Sequence, residues 1–199
     1  MSIIGNRAYW TVFSNNILLV LGDVIFMTFH TVYSTNNLGI SLDDLPFLFS
    51  IGGVATIVLS PLIGQLSDQF GKLKIFIIGT GLTIAMVAIY SNLGKVPFGV
   101  IVLLHTLLFI GINIRMITST ALATVLPDQS DRGAFMTLDA SFQQIAGGVA
   151  ATAAGVIVYQ TSDEMVNGYP TLGLVVIGAM VITVGLMYSI HLMVSRKSG

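Results

Sequence analysis

Polar residues are sparse along this chain and separate long apolar runs. Segments such as Phe76–Tyr90 and Leu172–Tyr188 are almost continuously apolar. They lack the alternation of apolar and polar positions that a transmembrane β-strand requires. A membrane-crossing helix needs about 20 mostly apolar residues, and by that ruler the pattern predicts six spans, at about 10–34, 46–66, 74–93, 98–125, 133–160 and 170–193. The expected fold is an all-α membrane protein, a single six-helix transmembrane domain over residues 1–199 with short connections and no soluble domain.

Composition agrees. The chain is 54% hydrophobic and 9% charged, against about 25% charged in soluble domains. Its solvent is therefore the bilayer. The net charge of −1 argues against nucleic acid as a partner. With no cysteine there is no disulfide, thiol nucleophile or thiolate metal site. The first apolar run is too long for a cleavable signal peptide and has no small-residue cleavage site after it.

Lysine and arginine mark cytoplasmic loops. Arg7, Lys72, Lys74, Arg132, Arg196 and Lys197 fall on one side of the predicted spans, and only Lys95 on the other. Both termini are expected in the cytoplasm, as an even number of spans also requires. The far side is acidic, with Asp43, Asp44, Asp163 and Glu164.

Between the second and third spans runs Gly64-Gln65-Leu66-Ser67-Asp68-Gln69-Phe70-Gly71-Lys72-Leu73-Lys74. Gly64 and Gly71 allow close approach and a sharp turn. Asp68 is placed to face a positive helix N-terminus. This spacing resembles the loop signature of the major facilitator superfamily of transporters. Gln69 and Leu73 depart from its basic positions, as in the second half of family members. The stretches Gly111–Met116, Asp131–Met136 and Gln143–Gly148 are similarly spaced to the fourth and fifth helices of a half of sugar- or drug-efflux-type members. The fifth span lacks the Gly-Pro motif of proton-driven drug antiporters. The resemblance implies one half of such a transporter, most like the C-terminal half, built as a 3+3 inverted repeat. It also implies a gating latch made of Gly64, Asp68, Gly71 and Lys72, with Arg132 on the same side.

Charges inside a membrane usually face a cavity or a partner, since each costs at least about 2.5–3.5 kcal/mol on insertion scales. Asp23, Arg115 and Asp139 lie within predicted spans. Asp23 and Arg115 both fall roughly 18–20 Å from the cytoplasmic end and are close enough in depth to pair. The resemblance puts the first and fourth helices on the central path. Asp23 and Arg115 are then either substrate contacts or a charge switch on that path, or a structural ion pair. Asn16, Asp23 and His30 recur every seven residues and share a helix face. His105 matches His30 in depth, and Asn113 lies beside Arg115. A histidine there could serve proton coupling or simply hydrogen-bond near an interface. Asp23 and Asp139 are the candidate proton sites, although Asp139 also fits a hydrated carboxylate near the cytoplasmic mouth. Gly147, Ala151 and Gly155 read as a small-residue packing stripe.

Enzymatic readings find little support. A rhomboid-type protease needs a Gly-x-Ser turn facing a histidine, and Gly39-Ile40-Ser41 sits in an outer loop. His30, His105 and His191 show no metal-ligand spacing, and no cofactor is implied. The expected activity is transport of a small solute across a cell (inner) membrane by alternating access. A six-helix half holds half a path. It calls for a homodimer or a second six-helix half. The alternative is an isolated half-domain, or a structural or interaction membrane protein without transport of its own.

Overall fold

The computed structural model describes residues 5–161 and 165–198; Asp163 and Glu164, read above as part of the acidic outer face, lie outside the described residues. The chain forms α1 (Arg7–Thr28), α2 (His30–Asn36), a 3-10 turn (Leu42–Asp44), α3 (Leu45–Phe70), α4 (Lys72–Ser91), α5 (Phe98–Ala123), α6 (Arg132–Ile157), a short hairpin of β1 (Tyr159–Gln160) and β2 (Val166–Asn167), and α7 (Tyr169–Ser198).

Local chemistry sets the boundaries. The Asn6 side chain accepts from Ala8 N at 3.0 Å and starts α1. Pro46, Pro97 and Pro170 stand at or just before the first turns of α3, α5 and α7, where a missing N–H is harmless. One residue, Gly71, separates α3 from α4, and its φ of +96° is closed to most side chains.

Among the described residues, five helical stretches are long and apolar enough to cross a bilayer: Arg7–Asn36, Leu42–Phe70, Lys72–Ser91, Phe98–Ala123 and Tyr169–Lys197. The remaining long helix, α6, has 26 residues, about 39 Å at 1.5 Å per residue. Its length suffices, but Asp139, Gln143, Gln144 and many Ala and Gly lower its hydropathy.

In the bundle, α1 packs between α6 and α7, and α5 packs between α3 and α4; α4 and α7 join the two groups. The α4–α5 crossing is tight. A Cβ on Gly111 would stand 2.5 Å from Thr83 Oγ1 and 3.3 Å from Gly79 O, so only glycine permits this separation. Two apolar clusters cap the bundle. One gathers Tyr9, Phe13, Phe76, Leu126, Phe135 and Ile190, and so brings together the start of α1, the α3–α4 turn, the α5–α6 loop and the end of α7. The other holds Phe26, Tyr33, Tyr90 and Tyr169 at the opposite end.

Several expectations need correction. The first span, Arg7–Asn36, carries a one-residue interruption: helix α1 ends at Thr28 and α2 begins at His30. Gly64 lies inside α3 with open space where a Cβ would stand, so the turn rests on Gly71 alone. The fifth span stops at Ile157, before the hairpin. That hairpin, absent from an all-α expectation, docks on Asn37, whose side-chain amide bonds Val166 O at 3.0 Å and Val166 N at 2.9 Å. Of the Gly147-Ala151-Gly155 stripe, Gly147 approaches Val20 of α1, whereas Ala151 is exposed and a Cβ on Gly155 would meet open space; the buried seam of α6 is Ala146, Ala150 and Ala154.

Candidate functional site

The seven-residue repeat of Asn16, Asp23 and His30 becomes a ladder of polar contacts from α1 and α2 to α5. These helices run antiparallel, so partners descend on α5 as they ascend on α1. Ser119 Oγ donates to Asn16 Oδ1 at 2.8 Å. Arg115 Nη1 meets Asp23 Oδ1 at 2.6 Å. His105 Nδ1 stands 3.4 Å from His30 Nε2. The backbones of α1 and α5 make few close approaches, so long polar side chains do the bridging.

The middle rung carries the two charges of the ladder. Arg115 is fully enclosed and Asp23 is 8% exposed. Only part of their bonding capacity is used. Arg115 Nε, Arg115 Nη2 and Asp23 Oδ2 are buried without a hydrogen-bond partner. A carboxylate and a guanidinium in this state can shed or accept a further polar group. A cavity of about 230 Å³ opens against Asp23, lined also by Val24, Met27, Phe109 and Ile112.

The outer rung sits in an aromatic box. His30 stacks on Tyr90 with centroids 4.6 Å apart, and His105 lies 4.4 Å from Phe109 and 5.0 Å from Phe49. The interruption at Phe29 lets His30 head a new helical turn, where Ser34 Oγ donates to its carbonyl and contacts Tyr90 Oη at 2.8 Å. The inner rung branches. Asn15 Nδ2 donates to Ser119 Oγ at 2.9 Å, and Asn16 Nδ2 reaches Asp139 of α6 at 3.1 and 2.9 Å. Gln143 Nε2 adds a third bond to Asp139 at 2.8 Å. On the other flank, Ser60 of α3 bonds Asn113 Oδ1 of α5 at 3.0 Å. Each peripheral helix, α6 and α3, is thus tied to its central neighbour by one polar link.

Asp68, Lys72 and Arg132 lie apart from this ladder. Asp68 pairs with Lys72 at 2.8 Å across the α3–α4 turn, and its side chain is 74% exposed. No side chain caps the N-terminus of α4. Arg132 is exposed at the first residue of α6. At the same end Lys197 clasps the α5–α6 loop, bonding Asp128 Oδ1 at 2.6 Å and Leu126 O at 2.8 Å.

Sequence reasoning missed Asn15, Ser119, Ser34 and Tyr90. The signal for Ser119 was present: it is four residues after Arg115 on α5, as Asn16 is seven before Asp23 on α1.

The family model described as Major Facilitator Superfamily matches residues 12–198. None of the curated proteins compared with the chain matches it.

Proposed function

We propose, starting from the fact that the chain belongs to the major facilitator superfamily, that it is one six-helix half of an alternating-access transporter. The coarse activity follows from membership: transport of small solutes across a membrane. The finer reading is that α6 completes six spans and that α1 and α5 line the solute path. A second unit faces them, either a second copy of this chain or another half.

The observation that carries the reading is the Asp23–Arg115 pair, buried at mid-span with three unpartnered polar atoms. A pair that served only to join helices would be expected to satisfy its donors. The order of packing supports the 3+3 repeat. Exchange of the first three spans with the last three turns the α1–α6 contact into α5–α3, turns α1–α7 into α5–α4, and leaves α4–α7 unchanged. The gathering of Arg7, Lys72, Lys74, Arg132, Arg196 and Lys197 at one end favours cytoplasmic termini and an inner-membrane setting. In this setting Asn16, His30, His105 and Asn113 line the path with Asp23 and Arg115, Asp23 and Asp139 are proton-site candidates, and the stretch with Gly64, Asp68, Gly71 and Lys72 forms the latch, with Arg132 at the same end.

Uptake into proteoliposomes by Asp23→Asn and Arg115→Gln tests the path, against a panel of labelled sugars and amphiphilic drugs. Loss of uptake in both, with the variants folded, supports it; full activity in both sinks it. Crosslinking in membranes between single cysteines introduced on α3 and α6 tests the second unit. The native chain has no cysteine, so each introduced thiol reports alone.

A further inference from the structure

Asp139 takes no part in the Asp23–Arg115 pair, and its setting differs from that of every other acidic residue described. It stands seven residues into α6, about 10 Å from the helix start. Its three hydrogen bonds all come from neutral amides, Asn16 Nδ2 to both oxygens and Gln143 Nε2 to one. Asn16 Oδ1 cannot turn to accept, because Ser119 Oγ and Asn15 Nδ2 already donate to it. Amide N–H groups suit an acceptor-only carboxylate. Among the described residues no Lys, Arg or His forms a salt bridge with Asp139. On the reading above that α6 completes six spans, a carboxylate inside the membrane thus stands without a counter-charge, an arrangement that normally marks a ligand or ion site.

A cavity of about 150 Å³ opens beside it. Thr120, Thr124 and Gln143 give this space polar edges, while Phe135 and Met136 give it an apolar wall. The volume holds about five water-sized groups. We infer that this cavity binds a small protonated amine. The ammonium pairs with Asp139 between the threonine hydroxyls, and the hydrocarbon rests on Phe135 and Met136. A hard metal ion would seek six or more oxygens, which a wall of ring and thioether does not supply. An ammonium group gains from both the carboxylate and a nearby aromatic face. This site stands independently of the path at Asp23 and Arg115, because binding is read without any transport.

The chain carries its own reporter. Trp10 is the single tryptophan, and its ring lies 5.7 Å from Phe142, one turn beyond Asp139 on α6. Its fluorescence is titrated with n-butylammonium chloride on protein in lipid nanodiscs at pH 7, with sodium chloride holding ionic strength constant. A saturable change is expected, absent with n-butanol and with sodium butyrate over the same range. Asp139→Asn is expected to weaken binding at least tenfold, and Asp139→Glu to stay within threefold of the native chain. Equal responses to butanol and butylammonium would overturn the inference, as would undiminished binding by Asp139→Asn. A response to pH with none to butylammonium would overturn it too, and would leave Asp139 a proton site. If Asp139→Asn fails to fold, the preference of the native chain for ammonium over alcohol still decides.

Discussion

Arg115 meets Asp23 through one nitrogen, Nη1, and leaves Nε and Nη2 without partners in a fully buried setting. Removing either residue alone strands the other's charge in the bundle, a change that costs about 3–5 kcal/mol. Asp23→Asn and Arg115→Gln are each expected to unfold at markedly lower denaturant in mixed micelles. The double variant should lose less than the sum of the two. A strictly additive double variant would show that the charges do not interact.

The depth of this pair was legible in the sequence because residue counts convert directly into height along a helix. The seven-residue recurrence of Asn16, Asp23 and His30 likewise gave the shared face. Which helices adjoin was not legible. The bond from Asn16 to Asp139 joins positions 123 apart, and no local pattern announces it. The break at Phe29 and the helical placement of Gly64 also escaped prediction. The first lacks a proline or glycine signal; the second shows a glycine that the surrounding helix simply absorbs. The small-residue stripe of α6 misled at Ala151 and Gly155, because composition reveals that a face is smooth, not that anything lies against it.

Gly111→Ala should be costly. The added methyl would meet Thr83 Oγ1 at 2.5 Å and Thr83 N at 3.2 Å, and backbone cannot yield as a side chain can. Overpacking of this kind destabilises by about 1–3 kcal/mol. Gly64→Ala, where nothing lies within 4 Å, should fall within about 0.5 kcal/mol of the native chain. Thermal unfolding in detergent distinguishes them, and equal midpoints would refute the tight α4–α5 crossing.

The clasp of Lys197 on the α5–α6 loop should respond to acid. Its hydrogen bond and positive charge hold the Asp128 carboxyl below the usual value of 3.8. A depressed folded-state value means that the contribution is complete above about pH 3.8 and is lost as pH falls through the lower, folded-state value. Asp128 is exposed, so 1 M salt should also loosen the contact. A spin label at Ser195 is expected to gain mobility in strong acid, in high salt and in Asp128→Asn. Mobility unaltered by all three would rule the clasp out.

The Asp68–Lys72 pair predicts a separation of two readouts. An exposed ion pair four residues apart on the sequence contributes about 0.5 kcal/mol or less, so Asp68→Asn should unfold like the native chain. If the turn latches a second bundle, the same variant should still change uptake. Unchanged uptake would leave Asp68 a solubilising charge at a turn, whereas a large loss of stability would mean that it holds this bundle together.

The polar ladder from α1 and α2 to α5 also constrains which lengths of gene are tolerable. Its rungs keep register only while Asn16, Asp23 and His30 remain seven residues apart. One residue inserted between Asn16 and Asp23 would rotate everything beyond it by about 100°, turning the carboxylate and the imidazole away from α5 together. An insertion of seven would restore the rotation but lift the outer rungs by about 10 Å, past their partners. The residue count between Asn16 and His30 is therefore as much a part of the ladder as the side chains that form its rungs.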